Sequence, residues 1–162
     1  EKNINLNFSS WQNKISYVPQ NIYLIEDTIE KNIAFALEDK EVDQDKLKKA
    51  IEISYLGEML KSLPKGVHTI IGERGFNLSG GQKQRIGVAR AIYLDKEILI
   101  LDEATNSLDK EIESKMIENN LKFSKNKTVI IVTHEFSLMK FCNEIYFLSP
   151  DGLVKKEKDI YV

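Results

Sequence analysis

The chain has 162 residues, 42% hydrophobic and 30% charged, which suits one globular domain with a buried core and excludes wholesale disorder. Its 23 basic and 25 acidic residues leave a net charge of -2, so charge gives no reason to expect nucleic acid or an anionic membrane surface as a ligand. The single cysteine, Cys142, is interpreted as a structural thiol because one cysteine cannot form an internal disulfide.

Targeting and membrane segments are not recognisable in the sequence. No run approaches the roughly 18 apolar residues of a membrane helix, and nothing near Glu1 resembles a signal peptide. Because the first residue is Glu1 and not methionine, we expect the chain to begin inside a longer protein.

The first predicted elements are one strand and a helical region. Alternating apolar and polar residues at 14–18 predict a strand that stops at Pro19. Helices are predicted at 28–35, where Thr28 is the N-cap, and at 43–55 and 56–63. The stretch from Asn21 to about Leu78 is expected to be a helical subdomain that contributes no strand to the core.

Strands and helices alternate in the second half of the chain. Ser79 is the predicted N-cap of a helix that runs to Leu94, with Ile86, Ala89 and Tyr93 on one face. Strands are predicted at 97–101, 128–132 and 144–148, and helices at 110–123 and 136–141 separate them. This order predicts an α/β fold with a parallel sheet covered on both faces.

Two acids follow the buried strand at 97–101. Asp102 and Glu103 lie where open α/β sheets bind ligands, at the carboxyl end of a strand. One acid there can hold Mg²⁺ against nucleotide phosphates, and a second can activate a water molecule. Solvated acids at a strand end are the alternative, and the pair alone does not decide between them.

A glycine pair opens the helix that Ser79 caps. In the run Leu78-Ser79-Gly80-Gly81-Gln82, bare backbone N–H groups and the helix dipole make an anion site suited to a terminal phosphate. A capped helix with a flexible turn is the alternative reading of the glycines alone. Five fixed letters arise by chance only about once in three million windows.

Five segments in order resemble the cassette of ABC ATPases. The run at 78–82 resembles the ABC signature, and Ile98 to Glu103 resembles the Walker B segment 20 positions further on, counted as 102 minus 82. The other three segments resemble the Q-loop, the D-loop and the switch histidine: Tyr17-Val18-Pro19-Gln20, Asn106-Ser107-Leu108-Asp109 and Val132-Thr133-His134. Residues 63–66 and 69–75 are similar to exporter-type cassettes, and the latter run resembles the exporter X-loop.

This resemblance implies a fold and a division of the chain. The fold would be a P-loop NTPase-like core with a mostly parallel sheet, truncated at its N-terminus. The helical subdomain would span about 21–94, and the RecA-like core about 10–20 and 95–156. Arg85 and Arg90, on the helix behind the signature, are expected to form structural ion pairs.

The resemblance also implies the role of each motif residue. Asp102 would hold Mg²⁺ mostly through water, and Glu103 would be the general base. Gln20 would complete the shell of metal and water, and His134 would contact the γ-phosphate of ATP. Cassettes of this family pair head to tail, so a second group of residues would contact the ATP of the partner cassette or cross the same interface: Ser79, Gly80, Gly81, Gln82 and Asp109.

Two departures from the family pattern matter. Glu135 follows the switch histidine where a basic residue is frequent in the family. More importantly, no Gly-x-x-x-x-Gly-Lys-Ser/Thr loop occurs in the sequence, so the loop that grips the phosphates is expected upstream of Glu1.

The resemblance predicts an exporter ATPase with ATP and Mg²⁺ as cofactors. Its partners would be a second cassette and a transmembrane domain, at the cytoplasmic face of a membrane, with no nucleic acid. A soluble ABC ATPase of DNA repair or translation is the first alternative, although long coiled-coil insertions and basic arms are absent from the sequence. An inactive, truncated cassette is the second.

Overall fold

The structure is a computed structural model that describes residues 8–35, 37–72 and 77–157. The chain divides into two compact units, residues 1–132 and residues 133–162. The X-loop-like residues Glu73, Arg74 and Gly75 lie outside the described residues. None of the helices in the described ranges has the length and hydropathy of a bilayer-spanning helix.

A three-stranded parallel sheet forms the centre of the first unit. Its strands are β1 (Ile15–Val18), β4 (Ile98–Asp102) and β5 (Thr128–Val132), in the order β1-β4-β5. The register pairs Val18 with Leu101 and Asp102 with Val132, so the carboxyl ends of all three strands meet at one edge. These strands confirm the predicted strands at 14–18, 97–101 and 128–132 to within one residue.

The region between β1 and the signature is mostly helical, as predicted. It begins with α2 (Ile29–Ile33), capped by the Thr28 hydroxyl, and continues with α3 (Gln44–Ile53) and α4 (Gly57–Ser62). It also holds two short strands that the sequence did not predict, β2 (Asp27–Thr28) and β3 (Ile70–Ile71), which pair antiparallel in a sheet of their own; as expected, neither joins the three-stranded sheet. Strands of two residues are too short to show an alternating pattern.

Helix α5 (Gly80–Leu94) buries eight of its residues. It packs on β1, α2 and α3, and Ile86, Ala89 and Tyr93 are buried, as predicted. It ends at Asp95, whose φ of 52° is the left-handed conformation that stops a helix. The charge of Asp109 acts on Arg85, which fits the expected ion pairing, but the side-chain hydrogen bonds of Arg85 and Arg90 go to backbone carbonyls.

The two faces of the sheet differ in exposure. Val18, Leu99 and Leu101 are buried on one face. On the other face Tyr17, Ile130 and Val132 are 54%, 45% and 48% exposed. The expectation of a sheet covered on both faces is therefore wrong for the described residues, and an apolar face of the sheet meets solvent.

Helix α6 (Lys110–Phe123) follows the acids and matches the predicted range. Its N-cap is Asp109, whose carboxylate accepts from the amide of Ile112 at 2.9 Å. A short helix that precedes β1, α1 (Phe8–Gln12), was not predicted, and none of its residues is buried.

The second unit holds a 3-10 helix at Phe136–Phe141 and a two-stranded antiparallel hairpin of β6 (Ile145–Ser149) and β7 (Gly152–Lys156). The sequence placed 144–148 in the parallel sheet, and this is wrong because the described partner of that strand is β7. The turn Pro150-Asp151-Gly152, with φ of 119° at the glycine, could have signalled the hairpin.

The first test concerns the contact of Gly87 with Ile22. A Cβ at Gly87 would lie 2.4 Å from Ile22 Cδ1 and 2.9 Å from its Cγ1. We expect Gly87→Ala to destabilise the protein by about 1–3 kcal/mol in urea unfolding, because overpacking outweighs the better helix propensity of alanine. Adding Ile22→Ala to that variant should recover part of the loss. A Gly87→Ala protein more stable than the wild type would contradict this packing.

Candidate nucleotide site

The site begins where β4 ends. Asp102 is the last residue of the strand, and Glu103 turns the chain with a φ of 48°. The amide of Glu103 donates to the carbonyl of Val132 at 2.9 Å. A glutamate in the left-handed region is strained, and such strain is concentrated at functional sites. The acid is thus held at the sheet edge by pairing with the neighbouring strand.

Asp102 is contacted by a side chain from β1. The hydroxyl of Tyr17 donates to Asp102 Oδ2 at 2.7 Å. This hydrogen bond, with smaller contributions from burial and from the charge of Asp102, raises the pKa of Tyr17 above its ordinary value. Tyr17 therefore stays a neutral donor at physiological pH. The sequence did not single out this contact, although alternation along paired strands puts both residues on one sheet face.

Glu103 is held by two amides. Gln20, just beyond β1, donates from Nε2 to Glu103 Oε2 at 2.5 Å, and Asn106 donates from Nδ2 to the same oxygen at 3.0 Å. The structure therefore brings together three of the predicted residues: Gln20, Asp102 and Glu103. Asn106 had been noted only as part of the D-loop-like segment.

The first turn of α5 is stabilised by a capping box. Ser79 Oγ accepts from the amide of Gln82 at 3.3 Å, and Gln82 Oε1 accepts from the amide of Ser79 at 2.8 Å. Both side chains thus stabilise the helix start, as the predicted N-cap requires. A helix N-terminus built in this way favours a bound anion through its dipole and first-turn amides.

The two glycines of this turn pack against Ser107. A Cβ at Gly81 would lie 2.8 Å from the carbonyl oxygen of Ser107, and one at Gly80 would lie 3.3 Å from its Oγ. Only glycine at position 81 allows the backbone of the helix start to approach the backbone of the segment after Glu103. This is a packing reason for a glycine that the sequence alone explained by phosphate binding.

Gln84 is a buried polar residue that the sequence analysis missed. It lies on α5, is 5% exposed, and accepts with Oε1 from the amide of Ser107 at 2.9 Å. Its Nε2 donates to the carbonyl of Glu103 at 3.5 Å. One amide side chain therefore touches both ends of the turn 103–107.

The arginines of α5 bind carbonyls on other elements. Arg85 donates to the carbonyl of Tyr55 at 2.9 Å, and Arg90 donates to those of Asn32 and Tyr23 at 2.8 and 3.1 Å. Burial lowers the pKa of both arginines. An arginine remains charged nonetheless, so each makes charge-assisted hydrogen bonds. Arg90 thereby ties the segment after Gln20 to α5.

His134 belongs to the second unit, directly after β5. Next to it, Thr133 Oγ1 accepts from the amide of Glu135 at 2.9 Å. The predicted contact of His134 with nucleotide stays a prediction. Asp109, predicted to cross a dimer interface, caps α6 here.

The donor set suits magnesium only together with a nucleotide. The described residues include no group of three or more His, Cys, Asp and Glu side chains that could hold a metal ion. Magnesium is usually bound through one or two carboxylates plus phosphates and waters, and not in a cage made only of protein. Asp102 and Gln20 supply oxygen donors of the required kind at the sheet edge.

The glycine contacts can be tested with a matched pair of variants. Gly81→Ala should destabilise the protein by about 1–3 kcal/mol because the backbone at Ser107 must move. Gly57, the first residue of α4, has nothing within 4 Å of an added Cβ. Gly57→Ala should therefore be neutral or stabilise by up to about 1 kcal/mol. Equal urea midpoints for the two variants would rule out the packing of α5 on Ser107.

Comparison with known proteins agrees with these motifs. Residues 2–106 match the family model described as ABC transporter. Over 138 residues the chain is 40% identical to an ATP-dependent lipid A-core flippase of Cupriavidus pinatubonensis, covering 85% of this chain and 23% of that protein. A flippase of the same name from Wigglesworthia glossinidia brevipalpis is 41% identical over 156 residues, which are 94% of this chain and 27% of that protein.

A solved structure shares the fold. The chain superposes on a bacterial Atm1-family ABC exporter with ATP bound, with a TM-score of 0.82 and 30% sequence identity, over 90% of this chain and 25% of the exporter. The chain thus spans about a quarter of the length of the proteins it matches. The family match covers more than half of the chain, and the chain belongs to the ABC transporter family, with the α/β fold of its ATPase cassette.

Proposed function

We propose that this chain is most of an ATP-hydrolysing cassette that drives export across a membrane. The observation that carries the proposal is the hydrogen bond of 2.5 Å between Gln20 and Glu103, which joins the ends of β1 and β4. Ligands of open α/β sheets bind at this edge. The names of the relatives support the direction of transport, because they are flippases and an exporter.

In this proposal the residues of the sheet edge divide the work of phosphoryl transfer. Glu103 accepts a proton from the water whose oxygen attacks the terminal phosphorus of ATP, and ADP departs with the electrons of the broken P–O bond. Asp102 and Gln20 would hold Mg²⁺. The metal, when bound, neutralises charge on the phosphate oxygens. Tyr17 and Asn106 orient Asp102 and Glu103 through the hydrogen bonds already described.

The rest of the site would come from outside the described residues. The phosphate-gripping loop would lie in a further segment of the transporter, since no such loop occurs in this sequence. The exposed Ile130 and Val132 of β5 offer an apolar surface for a strand and helix of that segment. His134 would contact the γ-phosphate in the completed site.

A second cassette would complete each site. In the head-to-tail pair, Ser79, Gly80, Gly81 and Gln82 contact the ATP of the partner cassette, and Asp109 crosses the same interface. The helix start at Ser79 suits this role because its dipole favours a phosphate. A transmembrane domain of the same transporter would anchor the pair at the cytoplasmic face of a membrane.

The catalytic assignment predicts opposite effects for two substitutions in the full-length transporter. Glu103→Gln keeps the shape of the side chain but removes the base, so turnover should fall about 10²–10⁴-fold while ATP binding persists. With hydrolysis blocked, two cassettes should stay closed around Mg-ATP, as seen by size-exclusion chromatography of the complete cassette. Ser79→Arg should prevent that dimer because its bulk lies at the phosphate position. Full turnover by Glu103→Gln, or closure by Ser79→Arg, would overturn these roles.

The contact with the membrane domain can be tested by crosslinking. We propose that the groove between Gln20 and α2, together with Glu73, receives a short helix of the transmembrane domain. Tyr23 in this region is 74% exposed while its carbonyl is fixed by Arg90. In a full-length transporter in which Cys142→Ser removes the natural thiol, a cysteine at Tyr23 or Glu73 should crosslink to an intracellular loop.

The matched control is a cysteine at Glu97, before the opposite end of β4, whose side chain is 68% exposed. It should not crosslink to that loop. Crosslinks from Tyr23 and Glu73 to other cassettes alone would count against the exporter assignment.

A further inference from the structure

The turn that carries Glu103 is fixed from both sides. The amide of Glu103 pairs with Val132 of β5 at 2.9 Å, while Gln84 of α5 accepts from the amide of Ser107 at 2.9 Å. Within the turn, the amide of Leu108 donates to the carbonyl of Thr105 at 2.9 Å, and the Thr105 hydroxyl donates to the buried carboxylate of Glu113 at 2.7 Å. The turn therefore has little freedom to move independently of the elements that it contacts.

Gln84 is the polar link between this turn and α5. Its side chain is almost fully buried, and a buried amide without partners would destabilise the protein. Its partners are the amide of Ser107 and, at 3.5 Å, the carbonyl of Glu103. Gln84 lies five residues after Ser79, so both contacts are made within two helix turns of the capped helix start.

The start of α5 also rests directly on the turn. Gly80 and Gly81 lie against Ser107 at distances that leave no room for a Cβ at position 81. A displacement of the helix start therefore displaces Ser107, and Gln84 carries the same displacement to the backbone of Glu103. Interiors packed this closely transmit small shifts.

We propose that Gln84 is a positioning residue that couples the signature turn of α5 to Glu103. This inference rests on the proposed function, in which the signature turn contacts one ATP and Glu103 acts on another. Nucleotide held by the signature turn at one site would then set the geometry of the base at the other site. Gln84 touches neither nucleotide in this scheme and acts only through the turn.

The test uses the full-length transporter with Gln84→Met, which has similar length but forms neither hydrogen bond. Turnover should fall about 10–100-fold with KM for ATP unchanged, because small misplacements of a catalytic group are costly. Adding Gln84→Met to Glu103→Gln should lower the residual turnover no further, since residues acting as a unit are not additive. The double variant should still close around Mg-ATP.

Asn120 provides the matched control. It is a fully buried amide on α6, bonded to the carbonyl of Met116 at 2.7 Å and about 16 Å along the helix from Asp109. Asn120→Leu should leave turnover per folded protein unchanged.

Two results would overturn the inference: full turnover by Gln84→Met, or failure of the double variant to close around Mg-ATP, which would indicate a damaged signature turn. If Glu103→Gln itself retains full turnover, the result contradicts the proposed function. If only Gln84→Met retains it, the proposed function stands and this inference does not.

Discussion

The pairing of β4 with strands on both sides is the constraint on which the rest of the first unit depends. β4 carries Leu99 and Leu101 into the core, and its register sets Asp102 opposite Val132. A one-residue slip would move the leucines to the open face of the sheet. Because the burial of these leucines prevents that slip, the two acids after the strand lie at one defined place at the sheet edge.

The neighbours of the acids are placed by the same constraint. β1 pairs with β4, so Tyr17 and Gln20 reach Asp102 and Glu103. α5 packs on β1 and brings its first turn, through Gly81 and Gln84, against the segment after Glu103. The site is therefore an outcome of sheet register and helix packing, which bring its polar side chains within hydrogen-bonding distance of one another.

Much of this arrangement could be predicted from the sequence. Alternation at 14–18 and two apolar runs predicted the three strands of the sheet, and Ser79 predicted the start of α5. The Asp-Glu pair indicated the sheet edge as a candidate site. These signals are local, and local patterns determine elements well. The resemblance to ABC ATPases then placed Gln20 near Glu103, which periodicity alone could not have done.

The contacts that escaped prediction are not local. The sequence of α5 does not indicate that the side chain of Gln84 binds the amide of Ser107, 23 residues away. Nor does it indicate the hydrogen bond of Tyr17 to Asp102, because these residues are 85 positions apart. The arginines of α5 were expected to form ion pairs, but their hydrogen bonds go to the carbonyls of Tyr55 and Asn32, and composition does not reveal which backbone oxygens a side chain reaches. The hairpin of β6 and β7 was missed because an apolar run does not distinguish parallel from antiparallel pairing.

The central claim is that the carboxyl edge of this sheet is where ATP is hydrolysed. A structure of the complete transporter trapped with Mg-ATP tests it most directly. The account predicts the metal beside Asp102 and Gln20, the carboxylate of Glu103 within hydrogen-bonding reach of a water next to the terminal phosphate, and the partner's Ser79 turn on that phosphate. A nucleotide bound elsewhere, with these residues still paired as they are here, would contradict it.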